Sequence, residues 1–342
     1  MRAAVLDAFG GDVRLLDVDP PRPGIGEVLV AVGACGVGLT LERGRTGALG
    51  GSAPRIVGHE LAGTVTEVGA GVTAWRPGDR VTSSFYLTCG RCRWCAGGRE
   101  TLCENWGGFV GLHVDGGLAE FVALSEHNLV HVPDGVRLDE AAIAADAIAT
   151  PYHAFTARAP IRPGQTVAVI GAGGGVGVHM VATARAFGAR VVGIELDRGK
   201  ERRLRELGCD VVWNPGDAPN WSTRFVEDLG LRVDVCVDTV ASRSTLTSGL
   251  GILGRAATLL VVGFQGGALV ELDPRALVLD EVVITGSRYA SRAEIAAALE
   301  LVEQRRIEPV IGARFALDDV AKAYRAMQAN EAFGRIVVDI GG

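Results

Sequence analysis

No stripe of basic residues runs through this sequence. The formal net charge is −6, with acids and bases interspersed, so nothing in it is built to neutralise a phosphate backbone and no nucleic-acid partner is expected. Long apolar runs are also missing. The longest, such as Ala256 to Phe264, are too short to cross a bilayer and fit buried strands better, so no membrane partner is expected either. Met1 to Val5 lack the basic stretch and apolar run of a secretory signal, which predicts a cytoplasmic protein. There is no internal repeat, no low-complexity tract and no sign of a disordered composition, since 48% of residues are hydrophobic and 22% charged. What is present in quantity is length and glycine. The 342 residues exceed one ordinary core and suit two domains, while 48 glycines imply a turn-rich chain.

From Met1 to about Val132 the chain reads as short strands broken by glycine and proline, for example Glu27 to Val32, Ala62 to Val68 and Leu118 to Ala123. Beyond Gln165 strand and helix alternate. Gln165 to Ile170, Ala189 to Ile194, Val233 to Val237, Thr258 to Val262 and Val282 to Thr285 are expected as buried strands, with helices at Val178 to Phe187 and Lys200 to Leu207. That alternation predicts an α/β fold with a doubly wound parallel sheet of the Rossmann type. After Ser287 two helical stretches, Arg292 to Glu303 and Leu317 to Ala329, precede a strand at Arg335 to Ile340, a tail expected to return to the first domain or to the cleft.

The run Gly171-Ala-Gly173-Gly174-Gly175-Val176-Gly177 follows a strand and opens a helix. Gly171, Gly174 and Gly177 there permit a tight turn, close approach of backbone amides to a pyrophosphate and close helix packing, with the helix dipole adding positive charge. Glu195 stands eighteen positions beyond Gly177 at the end of the next strand, where an acid accepts both ribose hydroxyls and repels a 2′-phosphate. NAD is therefore expected, with NADP as the alternative because Arg198 could embrace a phosphate.

Seven cysteines in a large cytoplasmic chain point to metal rather than disulfides. Cys89, Cys92, Cys95 and Cys103 offer four thiolates within one loop, a closed tetrahedron with no position left for water or substrate. That reads as structural zinc ahead of an iron–sulfur cluster, and in zinc-finger peptides a comparable site contributes ~10–16 kcal/mol to folding. Cys209 and Cys236 are expected as inert core thiols.

Several motifs together resemble the medium-chain dehydrogenase/reductase superfamily, in its zinc-containing alcohol dehydrogenase branch, over essentially the whole chain. They are Gly58-His59-Glu60 with Gly63, Val65, Val68 and Gly69, the Cys89 to Cys103 spacing, Asp115-Gly116-Gly117 with Ala119-Glu120, and Thr150-Pro151-Tyr152. The resemblance implies a GroES-like β-rich catalytic domain over 1–147, carrying the structural-zinc lobe and completed by 288–342, with a Rossmann domain over 148–287. It also implies a homodimer or homotetramer. By resemblance alone, Thr150 packs near the nicotinamide, Gly263 and Phe264 line its pocket, and Arg335 approaches the pyrophosphate.

The resemblance breaks at the family's catalytic zinc. The first ligand position falls on Gly38 and the third on Asp146, so only His59 survives unchanged; Leu41 and Arg43 replace an acidic residue and a proton-relaying histidine. Glu60 offers a further carboxylate for a second, catalytic zinc at His59, Glu60 and Asp146, whereas Cys35 serves only if its loop is reshaped. Without that metal, Thr40, His59 and Asp146 remain as a proton-transfer group. The preferred expectation is reversible oxidation of a secondary alcohol to a ketone on a small apolar substrate. Metal-free reduction of an activated C=C or C=N bond and non-enzymatic dinucleotide binding are the alternatives.

Overall fold

The computed structural model describes residues 1–341. The chain divides into two compact units, Met1–Ala149 with the segment from Tyr289 onward, and Thr150–Arg288.

In the first unit, Glu27–Val37 is the central strand of a seven-stranded sheet. Its buried residues Val28, Val30, Val32 and Cys35 join Leu61, Val65, Val122 and Leu124 in one core. Glu60–Val68 and Arg335–Asp339 both pair antiparallel with it, so the tail strand is built into this unit. Ile311–Ala316 then pairs parallel with Arg335–Asp339. The strand expected from Leu118 to Ala123 begins later, at Phe121–Ser125. Leu118 and Ala119 instead bond to the first strand, through Ala4 N to Leu118 O at 2.8 Å and an Ala3–Ala119 bridge. Apolar alternation cannot say which of two partners a segment chooses.

The second unit holds six parallel strands, in chain order Thr166–Ile170, Arg190–Ile194, Val211–Trp213, Val233–Asp238, Leu253–Val261 and Val283–Gly286. Numbered in that order within the sheet, they lie 3-2-1-4-5-6, all neighbours parallel, the doubly wound arrangement with a switch point at the first strand. Helix Gly177–Ala186 follows the first strand, and Glu201–Leu207 follows a short 3-10 turn, Arg198–Lys200. Three helices escaped the periodicity reading: Ser222–Leu229, Arg243–Gly251 and Pro274–Leu279. The second is marked locally by a capping box in which Ser242 and Thr245 bond each other's backbone amides. The expected helix Leu317 to Ala329 opens as a 3-10 turn, Leu317–Asp319, before Val320–Gln328. No helix among the described residues is long and apolar enough to cross a membrane.

Candidate active site and metal lobe

The glycine loop takes the geometry that phosphate binding needs. Gly171 has a left-handed φ of 75°, and a Cβ on Gly177 would lie 2.0 Å from the Gly171 carbonyl oxygen, so the helix can start this close to the strand only without a side chain. Gly173, Gly174, Gly175 and Val176 complete the turn between strand and helix. Glu195 folds back onto it, accepting from the Gly173 amide at 2.8 Å and the Asp197 amide at 3.1 Å. Arg198 is exposed beside it. Lys200, five positions after the acid and marked by no motif, is only 6% exposed and packs its stem against Gly173. Gly263 is also obligatory, since a Cβ there would meet the Thr239 carbonyl at 2.2 Å. Phe264 is exposed and Thr150 buried. Asp238 does not face solvent as a strand end would; it is buried, accepting from the Val240 and Ala241 amides at 2.9 and 2.8 Å.

The cysteine lobe fits a tetrahedral metal. Cys89 to Cys95, Cys92 to Cys95 and Cys92 to Cys103 are 3.9, 3.5 and 3.9 Å apart at sulfur, against about 3.8 Å for the edge of a tetrahedron with 2.3 Å zinc–sulfur bonds. Gly90 and Gly98 take left-handed φ values of 69° and 72° at the two turns that bend the lobe around the sulfurs. The backbone amides of Arg91 and Cys92 lower the Cys89 thiol to about 6, whereas burial and the neighbouring sulfurs raise Cys95 to about 12, so the four sulfurs become thiolates together only around a shared cation. Cys209 and Cys236 are buried elsewhere, and burial pushes Cys209 up to about 12 and raises Cys236 as well.

A buried cluster of charged groups occupies the first unit. His59 stands immediately before the strand Glu60–Val68, and Asp146 projects from a π-helical turn, Ala144–Ile148, that widens the helix Leu138–Ile143. His59 Nε2 lies 3.3 Å from Asp146 Oδ2 and 3.7 Å from Glu60 Oε1. Arg335, which the resemblance sets near the pyrophosphate, is 6% exposed and faces acids instead, with Nη2 at 3.0 Å from Glu60 Oε1 and 3.7 Å from Asp146 Oδ2. Burial pushes the Glu60 carboxyl well above its ordinary range; Arg335 opposes this and Asp146 adds to it. One guanidinium thus faces two carboxylates, and its contact with Glu60 is one of charge, since neither Glu60 oxygen makes a hydrogen bond.

The donor atoms of His59, Glu60 and Asp146 lie within 4.8 Å of one another, as a bound metal would require. A catalytic zinc nevertheless does not fit the residues present. Gly38 supplies no donor, and a Cβ built there would lie 2.2 Å from Arg335 Nη1, so the guanidinium fills the space in front of the missing ligand. At about 4 Å and an effective dielectric of about 20 it would repel a dication by about 8 kcal/mol, as much as one of the two carboxylates would attract it, and so cancels half of the pull of the site. Cys35 does not substitute: it is buried in the central strand, and burial raises its thiol well above the ordinary value, away from the thiolate.

Tyr289 was invisible to the sequence reading. It takes a left-handed φ of 49°, costly for an aromatic residue at about 1–3 kcal/mol, and sits in the loop after the second unit. Its hydroxyl lies 3.0 Å from Thr40 Oγ1 and 3.4 Å from His59 Nε2, the same ring nitrogen that faces Asp146 Oδ2, so Thr40, Tyr289, His59 and Asp146 form one polar cluster in which Nε2 serves Tyr289 or Asp146 in turn. Burial raises the phenol well above its ordinary value and keeps it a proton carrier. Thr40 enters from the first turn of helix Leu39–Arg45, and Leu41 and Arg43 follow on the same helix, Leu41 buried and Arg43 half-buried. Phe85 walls the cluster, its ring 4.5 Å from that of His59 and stacked 4.8 Å from that of Tyr289. Tyr152 packs edge-on to Phe187, centroids 6.3 Å apart, and His153 is buried.

A parallel sheet ordered 3-2-1-4-5-6 with a glycine-rich first turn, in one chain with a β-rich unit that carries a four-cysteine lobe, defines an NAD(P)-dependent oxidoreductase. Residues 24–134 match the alcohol dehydrogenase GroES-like domain, and residues 175–304 match the zinc-binding dehydrogenase domain. The chain belongs to the zinc-containing alcohol dehydrogenase-like family of medium-chain dehydrogenases/reductases. An alcohol dehydrogenase of Geobacillus stearothermophilus is 32% identical over 99% of this chain and 100% of its own. An acryloyl-coenzyme A reductase of Metallosphaera sedula is 29% identical over 99% of both chains. Among solved structures, that of AibC superposes with a TM-score of 0.91 at 33% identity, covering 99% of this chain and 96% of that one.

Proposed function

We propose that this enzyme reduces a carbon–carbon double bond conjugated to a carbonyl, using NAD(P)H and no catalytic metal. The observation that carries the reading is the proton chain ending at the Tyr289 hydroxyl, set beside a ligand position occupied by Gly38. Oxidising an alcohol requires its hydroxyl proton to leave first, and bound zinc eases that by lowering the pKa of a coordinated oxygen, from about 15.7 to about 7 for water. An activated alkene needs no such step. Hydride adds to the β carbon, the π electrons move to the carbonyl as an enolate, and one proton at the α carbon completes the product. The Tyr289 hydroxyl donates that proton and takes a replacement from solvent through the half-buried Thr40 hydroxyl, or from His59 Nε2 when that nitrogen turns its proton from Asp146 to Tyr289. The Phe85 wall suits an apolar substrate. The relative named as an acryloyl-coenzyme A reductase acts, by its name, on such a bond.

The secondary-alcohol reading retains one specific observation, the donor atoms of His59, Glu60 and Asp146 within 4.8 Å, together with the relatives named as alcohol dehydrogenases. Product analysis separates the two. With NADH deuterated at C4, an unsaturated ketone is expected to yield saturated ketone labelled at the β carbon; label at the carbonyl carbon would overturn the proposal. Glu195 supports NADH over NADPH. A homodimer is also proposed, because the sixth strand ends its sheet with Val283 and Ile284 51% and 41% exposed, beside Val278 and Leu279.

A further inference from the structure

Gly38 has φ −133° and ψ 171°, an extended conformation that any residue adopts without strain. Its backbone therefore gives no reason for glycine. Space does. An added Cβ would lie 2.2 Å from Arg335 Nη1 and 2.8 Å from its Cζ. Two positions earlier, a Cβ on Gly36 would lie 2.2 Å from Glu60 Oε2. Gly38 continues the extended backbone one residue past the end of the strand Glu27–Val37, and residues two apart on an extended backbone share a face. Gly36 and Gly38 thus clear one continuous bed, and the Glu60–Arg335 pair lies in it.

We propose that the Arg335 guanidinium is the resident cation of this site, seated where a ligand at position 38 would hold a metal, and that Gly38 is the residue that admits it. Arginine is a permanent, planar cation whose fork can face two carboxylates at once. Here it reaches both Glu60 and Asp146, the two carboxylates a metal would otherwise share with His59. Arg335 acts as a positioning residue: its single charge offsets one carboxylate charge of the pair and so keeps His59 Nε2 directed at Asp146 and the Tyr289 hydroxyl. The inference concerns the metal question alone and stands whichever substrate is reduced.

The test is uptake of cobalt(II) by the zinc-loaded protein, followed by absorption. Wild type is expected to take up no further metal, and Gly38→Cys alone none. Arg335→Ala opens the seat and takes up one ion per chain. The double variant, Gly38→Cys with Arg335→Ala, also takes up one and adds a sulfur-to-cobalt charge-transfer band. Uptake by wild type equal to that by Arg335→Ala overturns the proposal, as does a metal-bound thiolate in Gly38→Cys with Arg335 intact. A second arm needs neither metal nor the arginine variants. Gly38→Ala is expected to lower the melting temperature by several degrees, because its methyl strikes the guanidinium; an unchanged melting temperature means that Arg335 is not seated there.

Discussion

At Tyr289 a bulky residue holds a left-handed backbone so that its hydroxyl reaches both Thr40 and His59. Strain of that kind persists only where the surroundings enforce it, here the stack on Phe85 and the two hydrogen bonds. Tyr289→Phe keeps the stack and loses the proton, so kcat for alkene reduction should fall by about 100-fold or more with KM little changed. Steady-state kinetics with NADH check this, and an unchanged kcat would remove Tyr289 from the chemistry. Because burial raises the phenol, its proton should stay in place as pH rises past the ordinary phenol value of 10.0, and kcat should show no loss from Tyr289 ionisation there. Glu195 is proposed to govern the choice of nucleotide. Glu195→Gln should narrow the ratio of NADPH to NADH dissociation constants measured by fluorescence titration; a ratio that does not move would mean that the acid does not repel the 2′-phosphate. Residues carried by motifs could be found before any fold was known: His59 and Asp146 by their spacing within the family pattern, Glu195 by its distance from the glycines. Tyr289 and the seat of Arg335 could not, because their partners Thr40, Gly38 and Glu60 lie hundreds of residues away and only tertiary packing brings them together.

At the scale of elements, two loops are proposed to bear the cofactor and the metal. Gly177→Ala would drive a methyl into the Gly171 carbonyl, displacing the helix start that faces the pyrophosphate. NADH affinity should drop at least about tenfold by titration; retained affinity would show that the helix does not need this approach. The cysteine lobe has few alternatives to its metal, since its helix Arg93–Ala96 spans four residues, none of them buried. Stripping zinc with a chelator should expose the segment from Cys89 to Cys103 to limited proteolysis while the parallel sheet stays protected; equal resistance with and without metal would argue against zinc as its staple. Such loops were readable because glycine and cysteine at fixed spacing carry their own geometric reason. Helix Ser222–Leu229 is legible, since Phe225, Val226 and Leu229 gather on one face; Arg243–Gly251, with two glycines and little amphipathicity, and Pro274–Leu279, six residues long, are not, and tertiary contact decides them.

For the whole molecule, the parallel order 3-2-1-4-5-6 follows from strand and helix alternating along the chain, which the sequence displays plainly. Assembly does not follow from alternation. It turns on the exposed edge at Val283–Gly286, where Ile284→Lys should shift the protein towards monomer in light scattering if a second copy covers that strand. The central claim, that this member of a zinc-dehydrogenase family works with structural zinc alone, is open to one direct measurement. Native mass spectrometry of wild-type protein reconstituted with excess zinc should show one zinc ion per chain. Two ions per chain would place a metal among His59, Glu60 and Asp146 and contradict the account.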